Sequence, residues 1–202
     1  MVEVVLAIGI FLVTILALVG LLGPTLKTVD EVEKTDEVSS VVSSINSFLH
    51  NSPNIAPGGS RFNAIYDAVA QDHATLLIFR AYGANDLVSL KIGFVGETDQ
   101  SAQISEDDVS DGTSMFAAGP VYRAILTPSS ANPEDTRTDN GEDEFPRYTM
   151  DESNPDDYEE GYFAIEVRIF AEEPSLTFDD SIALDELILE DPIFTYNTAI
   201  IR

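Results

Sequence analysis

Twenty-three consecutive residues without a charge, VVLAIGIFLVTILALVGLLGPTL at positions 4–26, separate Glu3 from Lys27. As a helix such a run exceeds the about 20 residues that cross roughly 30 Å of hydrocarbon, so the segment must end in lipid or against other apolar surface. A secretory signal peptide would open on a basic region, carry a shorter apolar core and end at a small-residue cleavage site. None of the three is present, and the run is read as a membrane-spanning helix. At its head stands a single acid, Glu3. A carboxylate in hydrocarbon costs at least about 2.5 kcal/mol, so such a residue is normally a functional device with a partner.

Beyond the run, Val38, Val41, Val42, Ile45, Phe48 and Leu49 recur at the i, i+3, i+4, i+7 spacing of a helix with one apolar stripe, while Asp, Glu, Lys and Ser fill the other face. Pro53 in NSPN ends the pattern, because proline cannot continue a helix. The apolar and amphipathic halves read as one helix of about fifty residues, roughly 75 Å long at 1.5 Å per residue. Gly20, Gly23 and Pro24 sit between the halves. Pro24 removes one backbone hydrogen bond and each glycine lowers helix propensity by about 1 kcal/mol, so this is the expected place of a kink or of unwinding.

The stretch VEVVLAIGIFLVTILALVGLLGP resembles the N-terminal helix of the type IV pilin and pseudopilin family. The resemblance implies a leader peptidase that cuts a basic leader ahead of the stretch, an inner-membrane precursor, and a pilus assembly machinery that moves the chain into a helical homopolymer. It also implies that Glu3 docks subunits by pairing with the N-terminal amine of a neighbour. The family's glutamate stands two residues further from the mature N-terminus than Glu3 does here, and its first residue is commonly Phe where this chain has Met1. No Lys or Arg precedes the run, as in a chain whose basic leader has been removed. The likeness covers about the first fifty residues.

The remainder, residues 53–202, reads as a globular head following a helical domain over 1–52. FNAIYDAVAQ fits a short helix with Phe62, Ile65, Tyr66 and Val69 on one face. ATLLIFRAYG and LVSLKIGFVG, joined by the turn residues GAND, predict an antiparallel hairpin. GPVYRAILTP, YFAIEVRIFAEE and IFTYNTAIIR supply three more β runs. In the second of these, Phe163, Ile165, Val167 and Ile169 alternate with Ala164, Glu166 and Arg168, the mark of a sheet with one buried face. The stripe from Val38 to Leu49 is the available cover for that face. The expected fold class is therefore α+β, with the long helix packed on an antiparallel β-sheet head, as in pilins.

A formal net charge of −26, from 36 acids and 10 bases, argues against nucleic acid or anionic lipid headgroups as partners, since both recruit Lys and Arg clusters. Residues 97–160 hold 18 acids against 3 bases, a net of −15, largely in two long polar loops read as outer surface. DTRTDNGEDE, with Asp139, Asp143 and Glu144, offers carboxylates of the kind Ca²⁺ accepts, but it lacks the full D-x-[DN]-x-[DN]-G-x5-E ligand pattern. Solvated charge is the default reading there, and no cofactor is expected. With no cysteine, disulfides and thiolate chemistry are excluded. The two histidines, His50 and His73, stand in no HExxH motif, and neither G-x-S-x-G nor a phosphate-binding glycine loop occurs, so no enzyme is expected.

These readings converge on a structural subunit of an extracellular filament, membrane-held as a precursor. Two alternatives share the features: a minor pilin or secretion-system pseudopilin, and a monomeric, single-pass membrane-anchored binding domain.

Overall fold

The computed structural model describes residues 2–51, 53–83, 87–95, 102–111, 113–142, 144–173, 175 and 190–202, and the side chains of all of these except residues 5, 17–34 and 106. The first element is a helix, α1 (Val2–Asn51). The chain divides into two compact units, Met1–Ser43 and Ser44–Arg202, so only the last two turns of α1 belong to the head.

Within the head, α2 (Arg61–Val69) begins at Ser60, whose hydroxyl accepts the N–H of Asn63 at 3.3 Å. That satisfies one of the donors a helix leaves open at its first turn. Five strands follow, β1 (Ala74–Tyr82), β2 (Val88–Phe94), β3 (Val121–Pro128), β6 (Tyr162–Glu172) and β7 (Phe194–Ile201), in the spatial order β2-β1-β3-β6-β7. Every neighbouring pair is antiparallel. A one-turn helix, α3 (Glu106–Val109), precedes β3, and between β3 and β6 a separate two-stranded hairpin forms from β4 (Arg137–Asp139) and β5 (Tyr148–Met150).

Register sorts the side chains into two faces, since residues opposite one another share a face. One face carries Leu76 beside Phe94 and Ala124, then Ile169 and Phe194. Phe48 of α1 lies against it, 5.7 Å from the Phe94 ring, and Tyr66 of α2 lies 4.9 Å from Phe163. Ile45, Leu49, Ile65 and Tyr66 are fully buried in this layer. The other face carries Leu77, Phe79 and Val121, and it is closed by the segment after β2: Ile104, Val109 and Ala117, with Met115 at the margin. Gly93 makes that closure possible, because a Cβ there would lie 2.5 Å from the carbonyl oxygen of Ala102.

The expected α+β plan, in which a long N-terminal helix lies along the sheet, is corrected by this arrangement. The head is a mostly β body built on a curled antiparallel sheet. Of the six stripe residues named for helix-to-sheet packing, Ile45, Phe48 and Leu49 belong to the head, whereas Val38, Val41 and Val42 belong to the other unit. The physical reason is that each face already has a cover, one from α2 and the end of α1 and the other from residues 102–121. The part of α1 that belongs to the head is its last eight residues, Ser44–Asn51.

Where β3 ends, the chain stays bolted to β6. Ser129 N–H donates to Ala164 O at 3.0 Å. The buried Asn132 side chain then donates to Ala164 O and accepts from Ala164 N–H, both at 2.8 Å, so one amide group replaces a missing strand residue.

Candidate functional site

The surface that most needs an explanation is the start of α1. Between residues 2 and 16, ten large apolar side chains are 40 to 80% exposed and point in every direction around the helix axis. A helix that is apolar all round belongs inside lipid or inside a bundle. The hydroxyl of Thr14, the polar side chain within this stretch beyond Glu3, donates to Ile10 O at 2.8 Å. Bonded back to its own helix in this way, it leaves no demand for water on that flank.

Glu3 shares one flank of the helix with Val4, Ala7, Ile8 and Phe11. It lies in the first turn, where the helix dipole favours negative charge. Among the described residues, no ion pair involves Glu3. Gly20, Gly23 and Pro24, named for a kink, lie outside the residues whose side chains are described. Among the described residues no helix is long and apolar enough to cross a membrane; the side chains of residues 17–34, the second part of the run and its flank, lie outside that set.

The acidic loop proves to be wired to arginine. Asp139 Oδ1 accepts the N–H of Gly141 at 3.0 Å, while Arg147 Nη2 approaches Asp139 at 3.6 Å and Glu142 at 3.8 Å. Arg147 and Arg137 both lie over the Tyr148 ring, 5.2 and 4.2 Å from its centre. Asn140 donates to Pro146 O at 2.9 Å and draws the loop shut. Glu144 is exposed, and Asp143 lies outside the described residues. Among the described residues no three acidic or histidine side chains converge on a metal position. His73 Nδ1 lies 2.9 Å from the carboxylate of its neighbour Asp72.

Three features escape a reading by pattern alone. Arg123 is 1% exposed on the Leu77 face, where its Nε and Nη2 donate to the two oxygens of Glu172 at 2.5 and 3.3 Å. Both residues sit inside runs that look simply β-forming, so the signal was no more than an opposite charge on each of two strands. An aromatic group of Phe62, Tyr66, Tyr158 and Phe163 joins α2 to β6, with Tyr66 OH donating to Glu152 O at 2.7 Å and the Arg202 guanidinium over Phe62. Burial pushes the Tyr158 hydroxyl up to about 12, aided by the Glu160 charge, and the Tyr196 hydroxyl also up to about 12. The third feature is the outer strand β2, whose Val88 and Leu90 are half exposed.

This chain matches no protein-family model, no curated protein and no solved structure.

Proposed function

We propose that this protein is the structural subunit of a type IV pilus-like filament, assembled through the apolar N-terminal helix, with the acidic heads forming the outer surface. The observation that carries the reading is the all-round exposed apolar surface of residues 2–16 with one carboxylate at its head. Fully burying a Val, Leu, Ile or Phe side chain is worth about 1.5–3 kcal/mol, so ten such residues cannot be left in water. Lipid takes them before assembly and neighbouring helices take them afterwards. Passing from lipid to protein brings little hydrophobic gain, and association then rests on packing and on polar contacts between helices. Glu3 is the group able to supply such a contact, by pairing with a cation of the adjacent subunit. A buried pair of this kind has its best-attested use in setting register.

A leader peptidase and an assembly motor in the inner membrane are the implied partners, and adhesion is the implied work of the heads. The test is Glu3→Gln in the full-length chain in its own cells. The expected result is loss of surface fibres while the chain accumulates in the membrane fraction. Fibres at wild-type yield from Glu3→Gln would overturn the docking role.

A further inference from the structure

We propose that the outer edge of β2 is a docking surface for a second copy of this chain, which adds its β7 edge to the sheet so that heads join edge to edge. This rests on the filament reading, which places copies side by side.

Backbone pairing identifies the free groups. Gly83 N–H donates to Leu87 O and Val95 N–H to Thr75 O, at 2.8 and 2.9 Å. The alternation of an antiparallel ladder therefore turns Ser89, Lys91 and Gly93 toward β1 and leaves the N–H and C=O groups of Val88, Leu90 and Ile92 facing outward. Phe94, next in that outward series, is taken by Ala102 O and Ile104 N–H, both at 2.8 Å. Among the described residues nothing takes the other three. Their side chains add to the opening, since Val88 is 50% and Leu90 52% exposed beside an exposed Tyr82 and Leu87. An unguarded edge with apolar side chains is a template for another strand.

Charge and direction name the occupant. β1 and β2 contain Arg80 and Lys91 and no acid, in a chain of net charge −26. Two copies repel across most of their surfaces, and this hairpin is where they can approach. At the opposite edge of the same sheet, exposed Ile193 and Phe194 follow exposed Glu190 and Asp191. Apolar side chains next to acids thus complement apolar side chains next to bases. Four antiparallel steps separate β2 from β7, so the two edge strands run in the same direction. Copies in one orientation can therefore set β7 of one beside β2 of the next with both sheet faces continuous. Such a contact uses two different patches and stays open at both ends, the geometry that propagates filaments.

The chain has no cysteine, which makes the contact readable by cross-linking. Ser89 and Thr195 lie on one sheet face, as does Asn197. Paired strands lie about 4.8 Å apart, within the about 4.4–6.8 Å Cα separation a disulfide spans. Filaments sheared from cells carrying full-length Ser89→Cys with Thr195→Cys, or Ser89→Cys with Asn197→Cys for the neighbouring register, are treated with a mild oxidant and run on a denaturing gel. A ladder of covalent multimers from one of the pairs, absent from the single variants, is expected. Filaments whose subunits stay monomeric in both pairs would overturn the edge contact and leave the filament reading standing. Absence of filaments from the unmodified chain would overturn both. Leu90→Glu, which adds an acid to an exposed site, is expected to lower filament yield about tenfold, equivalent to about 1.4 kcal/mol, with an unchanged thermal midpoint. Undiminished yield would again overturn the contact.

Discussion

Arg123 shows how much one side chain can hold. Its guanidinium is buried between strands, and the fork of Nε and Nη2 meets both oxygens of Glu172. Removing one member of such a pair leaves an uncompensated charge, whereas replacing both by apolar residues is often neutral. Arg123→Ala is therefore expected to cost about 3–5 kcal/mol, and Arg123→Met combined with Glu172→Leu to recover most of it; chemical denaturation of the full-length chain reads both. A loss near zero for Arg123→Ala would show the pair to be incidental. The tyrosines give a pH dependence at the same scale. Burial raises Tyr66, Tyr158 and Tyr196, with Tyr158 and Tyr196 at about 12, against about 10 for a free phenol. The folded state thus holds these protons where the unfolded chain releases them. Their contribution is fully present below about pH 10 and is lost as pH rises from there through about 12. Phenolate absorbance should show Tyr66, Tyr158 and Tyr196 titrating only as the fold is lost.

The elements divide into those the sequence spells out and those it hides. The hairpin β1–β2 and the strands β3, β6 and β7 form where alternation and turn residues place them, and α2 forms around Phe62, Ile65, Tyr66 and Val69. β4 and β5 are three residues each, too short for any period to show, and they arise inside a loop dominated by acids. The cover of the Leu77 face was equally hidden, because Ile104, Val109 and Met115 are spaced singly among polar residues. A helical stripe is a strong signal for an apolar face and says nothing of how many of its residues a given sheet needs. Of the stripe, Ile45, Phe48 and Leu49 fall in the head unit and Val38, Val41 and Val42 in the other. Of the candidate site, the apolar run and Glu3 were legible, while the β2 edge depends on register, which no single strand reveals. Gly93→Ala tests the hidden cover: its Cβ would strike Ala102 O, so residues 102–104 must lift from Phe94. A cost of about 1–3 kcal/mol is expected, the range for overpacking a well-filled site. Ser60→Ala, which removes the α2 cap, should cost about 1 kcal/mol.

At the scale of the whole molecule, the chain joins a strongly acidic body to a segment that water cannot accommodate. Net charge far from zero keeps a protein soluble but works against compactness through self-repulsion. Raising salt from about 0.01 M to about 1 M shortens the screening length from about 30 to about 3 Å, so the thermal midpoint of the head should rise by several degrees. A midpoint indifferent to salt would mean that the −26 charge is already balanced within the fold. In the proposed filament the same repulsion would oppose assembly of heads alone, so the exposed apolar surface of residues 2–16 is the contact proposed to drive it and the β2 edge the proposed meeting place of heads. The most direct measurement is electron microscopy of fibres sheared from the cells that make this chain, with mass spectrometry of their principal protein. The account predicts fibres whose main component is this chain, with its apolar N-terminal helix retained. The chain recovered only as single copies, with no fibre containing it, would contradict the account.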